Sequence, residues 1–190
     1  LRKIVEIIVV DDNSTDDSAA VMREFENETR VFWNEQNLGV AASSNIGLNN
    51  AGGTYWMRVD ADDFLNAYAC AFMSGVLDEN PDITFVYCDH YRVDARGAKI
   101  EKIRLNDEQT LYGHGAGVLF RTEALREIGG YDESLRNCED YDLLFRLRKS
   151  GHEGFYLPVP LYRYYIHGEN ITLGQDREAY RRIVEAKHGV

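Results

Sequence analysis

Short apolar runs alternate with segments of helical periodicity along the first half of the chain. The first run, at residues 4–10, is rich in Ile and Val and stops at Asp11. This pattern is typical of a strand that is buried on both faces, as in a parallel sheet. Later runs predict further strands, and these cover residues 31–33, 55–59, 83–88, 118–121 and 155–165.

Helical segments fill the intervals between these runs. The first helix is predicted to begin at Ser14, which can cap it, with Asp17 completing a capping box three residues later. Val21, Met22 and Phe25 would form its inward face. The other predicted helices cover residues 40–51, 67–77, 123–128, 139–150 and 176–188.

The second half of the chain adds hairpins to this alternation. One hairpin is predicted to turn at residues 94–97, where Asp-Ala-Arg-Gly follows a predicted strand. Strands that alternate with helices and then give way to hairpins predict an α/β fold with a mixed, partly parallel sheet. No repeat, low-complexity tract or linker divides the 190 residues, so we expect one domain over residues 1–190.

Composition and charge narrow the classes of protein that fit. The AVILMFWYC residues make up 44% and the aromatic residues 12%, which is a globular composition. The chain has 21 basic and 32 acidic residues and a formal net charge of −11. This acidity excludes a general nucleic-acid binder and a polybasic membrane-surface protein. No apolar run approaches the roughly 20 residues of a transmembrane helix.

The three cysteines, Cys70, Cys88 and Cys138, are widely spaced and odd in number. They form no CxxC pair, so the pattern indicates neither a zinc site nor a disulfide framework. We therefore expect a reducing compartment, which places the protein in the cytoplasm.

Acidic residues cluster where two of the predicted strands end. Asp11 and Asp12 follow the first strand, and ligands of open α/β sheets bind at this edge. A carboxylate there can accept a hydrogen bond from a nucleobase N–H or a ribose hydroxyl. Helix capping is the alternative role, but Ser14 and Asp17 already account for it.

A second acidic cluster follows the strand predicted at 55–59. Asp60, Asp62 and Asp63 repel one another unless a cation or several N–H donors offset their charge. A hard divalent cation such as Mg²⁺ or Mn²⁺ favours one or two carboxylates plus substrate phosphates. The alternative is a solvated acidic turn, because a DxD sequence arises often by chance in an acidic chain.

Three further features have two interpretations each. Glu139 and Asp140 open a predicted helix, where acids either favour the helix dipole or, at a cleft, serve as a general base. His167 is isolated, and a lone histidine is more often structural or exposed than a ligand or a catalytic residue. The glycine-rich segment at 113–117 lets the backbone approach a ligand or makes a flexible loop. The chain has neither a GxGxxG nor a P-loop motif.

Taken in order, these motifs resemble those of family 2 glycosyltransferases with the GT-A fold. Each motif is weak alone, whereas the ordered set is specific and extends over nearly the whole chain. The segments that carry the resemblance are VVDDNSTD at 9–16, NLGVAASSNIG at 37–47, DADD at 60–63, GVLFR at 117–121, GGYDE at 129–133, EDYD at 139–142 and YRYYIH at 162–167.

The resemblance implies a fold, a reaction and a cofactor. The fold is Rossmann-like, with a mixed, mostly parallel sheet flanked by helices. The reaction is inverting transfer of a sugar from a nucleotide diphosphosugar, with a UDP-sugar favoured, to the hydroxyl of a saccharide or a lipid-linked saccharide. Mn²⁺ or Mg²⁺ is the implied cofactor, and polysaccharide or glycolipid synthesis is the implied setting. Peripheral association with the inner face of the membrane and the oligomeric state stay open.

By position, the resemblance implies that Asp12 contacts the nucleobase, with Asp11 beside it as a weaker candidate. Asp60 would hold the ribose or the metal. Asp62 would ligate the divalent cation that bridges the diphosphate. Asp140 would be the general base that takes the proton from the acceptor hydroxyl.

The resemblance also gives expectations for the remaining candidates. His167 would lie near the metal or the diphosphate, as a second candidate metal ligand. Gly115, Ala116, Gly117 and Glu139 would line the acceptor side.

The chain departs from the family pattern in two places. The family usually begins with a strand and helix that carry an I-I-P-x-Y-N-like segment, and the 190 residues contain none. We therefore expect the domain to be N-terminally incomplete. In addition, Ser44 stands where relatives often have Arg.

Two other interpretations stay open. One is a sugar-nucleotide-binding remnant of the same fold that does not catalyse transfer. The other is a phospho-accepting receiver-like domain, because the segment at 9–12 also resembles the start of such domains. A receiver needs a lysine, usually before a proline, and none of Pro81, Pro158 and Pro160 follows a lysine.

Overall fold

The computed structural model describes residues 5–106, 111, 115–168, 170 and 176–189. None of the helices within this part of the chain has both the length and the hydropathy needed to span a membrane. The elements are, in chain order, β1 (Ile8–Asp11), α1 (Ser18–Glu24), β2 (Arg30–Trp33), α2 (Val40–Asn50), β3 (Tyr55–Met57), β4 (Phe64–Leu65), α3 (Ala69–Glu79), β5 (Ile83–Val93), β6 (Lys99–Ile103), β7 (Leu119–Arg121), α4 (Thr122–Glu127), α5 (Glu139–Lys149), β8 (Glu153–Tyr165) and α6 (Arg177–His188).

The described strands form two sheets. β1 and β2 pair in parallel, and the larger sheet has the order β3-β7-β5-β8-β4, with β6 paired to β5. β5 and β8 are parallel, whereas β3–β7, β5–β7, β5–β6 and β4–β8 are antiparallel. The mixed α/β sheet is as predicted, but the expectation that it is mostly parallel is wrong for the described strands. One cause is the tight turn between β5 and β6, since such a turn can only join antiparallel strands.

The hairpin turns where it was predicted. The Asp94 carboxylate accepts the amides of Arg96 and Ala98, both at 2.9 Å, and Gly97 has a φ of 72°, which favours glycine. The preceding strand continues past residue 88 to Val93 because it pairs with β8 along its length.

Most other elements lie where predicted, with ends that differ by one or two residues. β4 was not predicted. β1 starts later than the predicted residue 4, which lies outside the described residues.

The first helix departs most from its prediction. It begins at Ser18 with Asp17 as its N-cap residue, and the Asp17 side chain makes no capping hydrogen bond. The neighbouring Asp16 carboxylate accepts the Ser18 amide at 3.0 Å instead. Ser14 belongs to the turn after β1, where its amide donates to the Asp11 carboxylate at 3.2 Å. The capping box is therefore wrong, because Asp11 binds the amide of the residue that was expected to cap.

The predicted inward face of α1 is also wrong. Val21 and Phe25 are 53% and 51% exposed, and no residue of this helix is fully buried. Local periodicity indicated a helix correctly, but no layer of the described protein covers its apolar side chains.

Two apolar cores pack against the larger sheet. Phe85 and Val86 are neighbours in β5, so their side chains point to opposite faces, and they belong to different cores. One core includes α2, α4 and α5, and the other includes α3. Leu143, Leu144 and Leu147 of α5 are buried, as predicted. Each contributes about 1.5–3 kcal/mol when fully buried, so α5 is firmly fixed, together with the acids at its N-terminus.

Candidate active site

The carboxylate of Asp12 anchors the loop between β2 and α2. One oxygen accepts the Leu38 amide at 2.7 Å and the Asn34 side chain at 2.9 Å, and the other accepts the Gly39 amide at 2.7 Å. Burial alone would raise the pKa of Asp12, but these hydrogen bonds outweigh it and lower the pKa. Asp12 is therefore a fixed anion at the end of β1, the edge where the sequence predicts nucleotide binding.

Asp11 is less accessible than its neighbour. It is 8% exposed, and its carboxylate accepts the amide of Ser14 across the turn that contains Asn13, whose φ is 65°. The structure thus gives Asp11 a role in shaping this turn. A contact between Asp11 and a nucleotide stays a prediction.

Asp62 and His167 come together from distant parts of the chain. Nε2 of His167 lies 2.9 Å from Oδ2 of Asp62, and both side chains are partly exposed. This is the pair that the resemblance assigns to the metal. Within the described residues, no group of three or more His, Cys, Asp and Glu side chains is arranged to hold a metal ion. A divalent ion at this pair would therefore complete its coordination with water or substrate oxygens.

Asp63 has a different role from Asp62, because it binds β8. One of its oxygens accepts the hydroxyl of Tyr162 at 2.6 Å, and the other accepts the amide of Tyr165 at 2.8 Å. Burial raises the pKa of Asp63 to about 6, the two hydrogen bonds oppose the rise, and the neighbouring aspartates add to it. These bonds fix the end of β8 and so help to place His167.

A second contact fixes the segment after β8. The amide of His167 donates to Oδ1 of Asn170 at 2.7 Å, and Nδ2 of Asn170 donates to the carbonyl of Tyr165 at 3.0 Å. The ring of His167 also lies 5.0 Å from the ring of Tyr165. The imidazole is therefore held in place before any ligand binds.

The start of α5 carries the predicted general base. Cys138 precedes the helix in a left-handed conformation, with a φ of 59°. Burial and the charge of Glu139 raise the pKa of the Asp140 carboxyl, while the Arg58 charge and the Tyr141 amide oppose the rise. A carboxylate with raised proton affinity is suited to take a proton from a hydroxyl group.

The loop before β7 contacts this carboxylate. A Cβ atom at Gly115 would lie 2.0 Å from Cβ of Asp140, so only glycine lets the backbone approach the side chain so closely. Residues 113 and 114 of the predicted glycine-rich loop lie outside the described residues.

The other two acceptor-side candidates of this loop are packed into the protein. Ala116 is 5% exposed, and Gly117 has a φ of 71°. A Cβ atom at Gly117 would lie 2.5 Å from the ring of Tyr162. Their described contacts are structural, and direct contact with an acceptor stays a prediction.

Sequence reasoning missed Arg58, whose largely buried side chain links Asp60 to Glu139. Nη1 of Arg58 donates to Oε1 of Glu139 at 2.7 Å, and its Nε lies 3.0 Å from Oδ1 of Asp60. Glu139 was predicted on the acceptor side, and the structure places the carboxylate of this buried residue against Arg58. The signal in the sequence was one basic residue two positions before the acidic segment at 60–63.

Two more residues that sequence reasoning missed tie α2 to this region. The buried side chain of Asn45 donates to the carbonyl of Tyr131 at 2.9 Å and accepts its amide at 2.8 Å. The ring of Tyr131 lies 5.9 Å from the guanidinium carbon of Arg58. The GGYDE segment thus acts as packing for the site, a role that depends on contacts far apart in sequence.

The chain is similar to proteins of one known family. The family described as glycosyl transferase family 2 matches residues 1–129. The chain is 30% identical over 152 residues to an uncharacterized glycosyltransferase of Haemophilus influenzae, which covers 75% of this chain and 51% of that protein. It is 27% identical over 178 residues to chondroitin synthase of Escherichia coli, which covers 89% of this chain and 26% of that protein. The chain spans about half or less of the length of these curated relatives.

Solved structures show the same fold. TarS from S. aureus, in complex with UDP-GlcNAc, matches with a TM-score of 0.77 at 21% identity, over 96% of this chain and 57% of that one. The mannosyltransferase PcManGT from Pyrobaculum calidifontis, in complex with GDP-Man and Mn²⁺, matches with a TM-score of 0.68 at 20% identity, over 96% and 52%. The fold is the predicted GT-A fold. Since the family match covers more than half of its residues, the chain belongs to glycosyl transferase family 2.

Proposed function

We propose that this chain is a catalytic domain that transfers a sugar from a UDP-sugar to an acceptor hydroxyl, with inversion at the anomeric carbon. The observation that carries the proposal is the Asp140 carboxylate, which packs against Gly115 and has its proton affinity raised by burial and by Glu139. Family membership supports sugar transfer and leaves the receiver-like interpretation without support.

The proposed reaction needs one proton acceptor. The acceptor oxygen bonds to the anomeric carbon while the bond from that carbon to the diphosphate oxygen breaks on the opposite face. The hydroxyl proton moves to the Asp140 carboxylate, and the bonding electron pair leaves with the nucleoside diphosphate. Attack from the opposite face inverts the anomeric centre, and the charge of the leaving group must be offset.

Asp62 and His167 fit a divalent cation that offsets this charge. A carboxylate oxygen and an imidazole nitrogen 2.9 Å apart are donor types that suit Mn²⁺, with Mg²⁺ as the alternative. We assign the ion to these two side chains, where it would supply Lewis-acid stabilisation of the diphosphate. The Mn²⁺ in the PcManGT complex supports this assignment.

We assign the nucleotide to the ends of β1 and β3. Asp12 would contact the nucleobase, Asp11 would support it, and the partly exposed Asp60 would contact the ribose or the metal. The UDP-GlcNAc and UDP complexes of TarS support uracil as the base. The GDP-Man complex of PcManGT makes guanine the alternative.

We further propose a saccharide or lipid-linked saccharide as acceptor, in polysaccharide or glycolipid synthesis. Its support is the similarity to a protein named chondroitin synthase. We place the protein in the cytoplasm, at the inner face of the membrane when the acceptor is lipid-linked, because Cys70, Cys88 and Cys138 are free thiols.

Calorimetry with UDP, with and without Mn²⁺, tests the donor site. We expect Mn²⁺ to tighten UDP binding, and we expect GDP to bind more weakly than UDP. Asp62→Asn should weaken Mn²⁺-dependent UDP binding by at least about tenfold, because the ion loses an anionic ligand, and should leave metal-free binding unchanged.

Asp82→Asn is the matched control, because it removes the same charge from an exposed residue outside the site. It should bind UDP as the wild type does. UDP affinity that is the same with and without Mn²⁺ would contradict the assignment of a metal to Asp62 and His167.

A further inference from the structure

Arg58 links two parts of the candidate site that are distant in sequence. Its side chain is 13% exposed, and Nη1 donates to Glu139, the first residue of α5. Its Nε forms an ion pair at 3.0 Å with Asp60, although the angle does not give an aligned hydrogen bond. A single guanidinium therefore joins the segment after β3 to the start of α5.

The backbone of Arg58 holds a third part of the site. Its carbonyl accepts the amide of Gly117 at 2.9 Å, which fixes the loop whose Gly115 packs on Asp140. The ring of Tyr131 lies beside the guanidinium, an arrangement that favours a cation. Arg58 thus contacts the strand end, the loop and the helix start that adjoin the candidate base.

Arg58 stays positively charged in this position. Burial alone would lower its pKa, but the charges of Asp60, Glu139 and Asp140, together with Tyr131, raise it. Charge-assisted contacts at low exposure are strong, and the planar guanidinium fixes the angle between its two carboxylate partners. A lysine would supply the charge from one point and could not hold both partners in this geometry.

We propose that Arg58 is a positioning residue for sugar transfer, which holds the N-terminal turn of α5 and its Asp140 carboxylate in place relative to Asp60. This inference rests on the proposed function, and it adds a residue to which the resemblance assigns no role. Misplacing a catalytic group by about 1 Å costs on the order of 100-fold in rate. Loss of the link should therefore appear in kcat.

The charged groups near Asp140 come from three parts of the chain. Glu139 on the same helix raises the pKa of Asp140, while Arg58 after β3 and Arg177 of α6 lower it. The Cys138 thiol adds no charge near neutral pH, because burial raises its pKa to about 11. When Arg58 is removed, less positive charge offsets the repulsion between Glu139 and Asp140, so the pKa of Asp140 should rise. Because a base must be deprotonated to act, the acid limb of kcat should then move to higher pH.

The test compares Arg58→Met and Arg58→Lys with the wild type, using UDP-GlcNAc and Mn²⁺ and measuring UDP release. Arg58→Met should lower kcat by about 100-fold and move its acid limb to higher pH. The Kd of UDP should change by less than about threefold, because the effect is on the base and not on donor binding. Arg58→Lys should keep the wild-type acid limb and recover part of kcat.

Arg146→Met is the matched control. Arg146 is also a partly buried arginine paired with a carboxylate, Asp142 at 2.7 Å, and it lies on the same helix as Asp140. Its replacement should lower stability without moving the acid limb. If Arg58→Met leaves the acid limb in place and Arg58→Lys is no more active than Arg58→Met, the proposal is overturned.

A donor-independent measurement separates this inference from the proposed function. Carbon-detected NMR titration of the Asp140 carboxyl should give a higher pKa in Arg58→Met than in the wild type, whether or not any sugar is transferred. An unchanged pKa overturns the role of Arg58, whereas a wild type that neither binds nor cleaves UDP-GlcNAc contradicts the proposed function.

If Arg58→Met does not fold, Glu139→Gln tests the same link from its other end. It should lower kcat and the pKa of Asp140 together, and an unchanged kcat would overturn the proposal.

Discussion

Three aspartates of the site differ in proton affinity because their neighbours differ. Asp12 accepts three hydrogen bonds from the protein, which lower its pKa and keep it an anion. Burial raises the pKa of Asp63 to about 6, and it raises that of Asp140 as well. Aspartate thus has three roles here: Asp12 anchors a loop, Asp63 anchors a strand and Asp140 is the candidate base.

Asp140→Asn should reduce UDP release from UDP-GlcNAc by about 10²–10⁴-fold, because an amide cannot take the acceptor proton. The Kd of UDP, measured by calorimetry, should stay within about twofold of the wild type. Wild-type turnover in this variant would show that Asp140 is not the base. UDP binding without any turnover in the wild-type protein would favour the non-catalytic remnant.

The pH dependence of kcat follows from the same residue. Because the pKa of Asp140 is raised in the folded protein, its carboxyl gains a proton as the pH falls through that value and ceases to be a base. We expect the acid limb of kcat to lie above the ordinary aspartate value of 3.8. An acid limb at or below that value would contradict the environment described for Asp140.

At the scale of elements, two glycines show how a tertiary contact constrains a local conformation. Gly117, before β7, and Gly97, in the β5–β6 turn, have φ values of 71° and 72°. A Cβ atom at Gly117 would meet the ring of Tyr162 of β8, whereas a Cβ atom at Gly97 would meet nothing within 4 Å. An alanine at Gly97 would therefore add only backbone strain, whereas an alanine at Gly117 would add both strain and a steric conflict.

Gly117→Ala should lower the free energy of unfolding by about 2–5 kcal/mol, from about 1–2 of left-handed strain and about 1–3 of overpacking against Tyr162. Gly97→Ala should lose only the strain, about 1–2 kcal/mol. Urea unfolding of both variants measures the difference. Equal losses would show that the ring of Tyr162 moves aside without cost.

Two of the helices show what a local sequence pattern can and cannot predict. The helix at 139–150 was predicted well, because its buried leucines follow the helical period and its packing agrees with that period. The first helix was placed too early, because Ser14 and Asp17 fit a capping box that Asp11 prevents by taking the Ser14 amide. The capping box considers only residues 14–17, so it does not show that Asp11 competes for the Ser14 amide.

At the scale of the whole molecule, α6 braces the helix that carries the candidate base. Nζ of Lys187 donates to Asp142 and Asp132, both at 2.7 Å, and Nε2 of His188 lies 2.9 Å from Asp142. Asp142 is fully buried, so its charge depends on these partners and on Arg146. Helix α6 is thereby connected to the position of the helix that carries the candidate base.

Lys187→Met should lower the free energy of unfolding at pH 7 by about 1–3 kcal/mol, because two carboxylates lose a shared charged donor. Lys187 is the largest cause of the lowered pKa of Asp132, and it opposes the effect of burial on Asp142. A lowered pKa in the folded protein stabilises it above the unfolded value near 3.8 and loses that effect as the pH falls. The deficit of the variant should therefore shrink below about pH 4.

Arg182→Met is the control for this comparison, because it removes a cation from an exposed pair with Glu178 on the same helix. It should change the free energy of unfolding by less than about 0.5 kcal/mol. A Lys187→Met deficit that stays constant from pH 7 to pH 3 would contradict the carboxylate contacts as its source.

The sequence by itself determined the order of strands and helices, the acidic strand ends and three candidates for chemistry, Asp62, Asp140 and His167. The elements follow from short-range periodicity and the acidic ends from residue chemistry, both of which a linear pattern contains. The roles expected of Asp62, Asp140 and His167 follow from the order of the motifs that carry the resemblance. The tertiary structure alone decided the strand pairings outside the predicted hairpin and the partners of each carboxylate, such as Arg58 for Glu139 across 81 residues. Such partners depend on which elements pack together, and burial in that packing sets the pKa of each group.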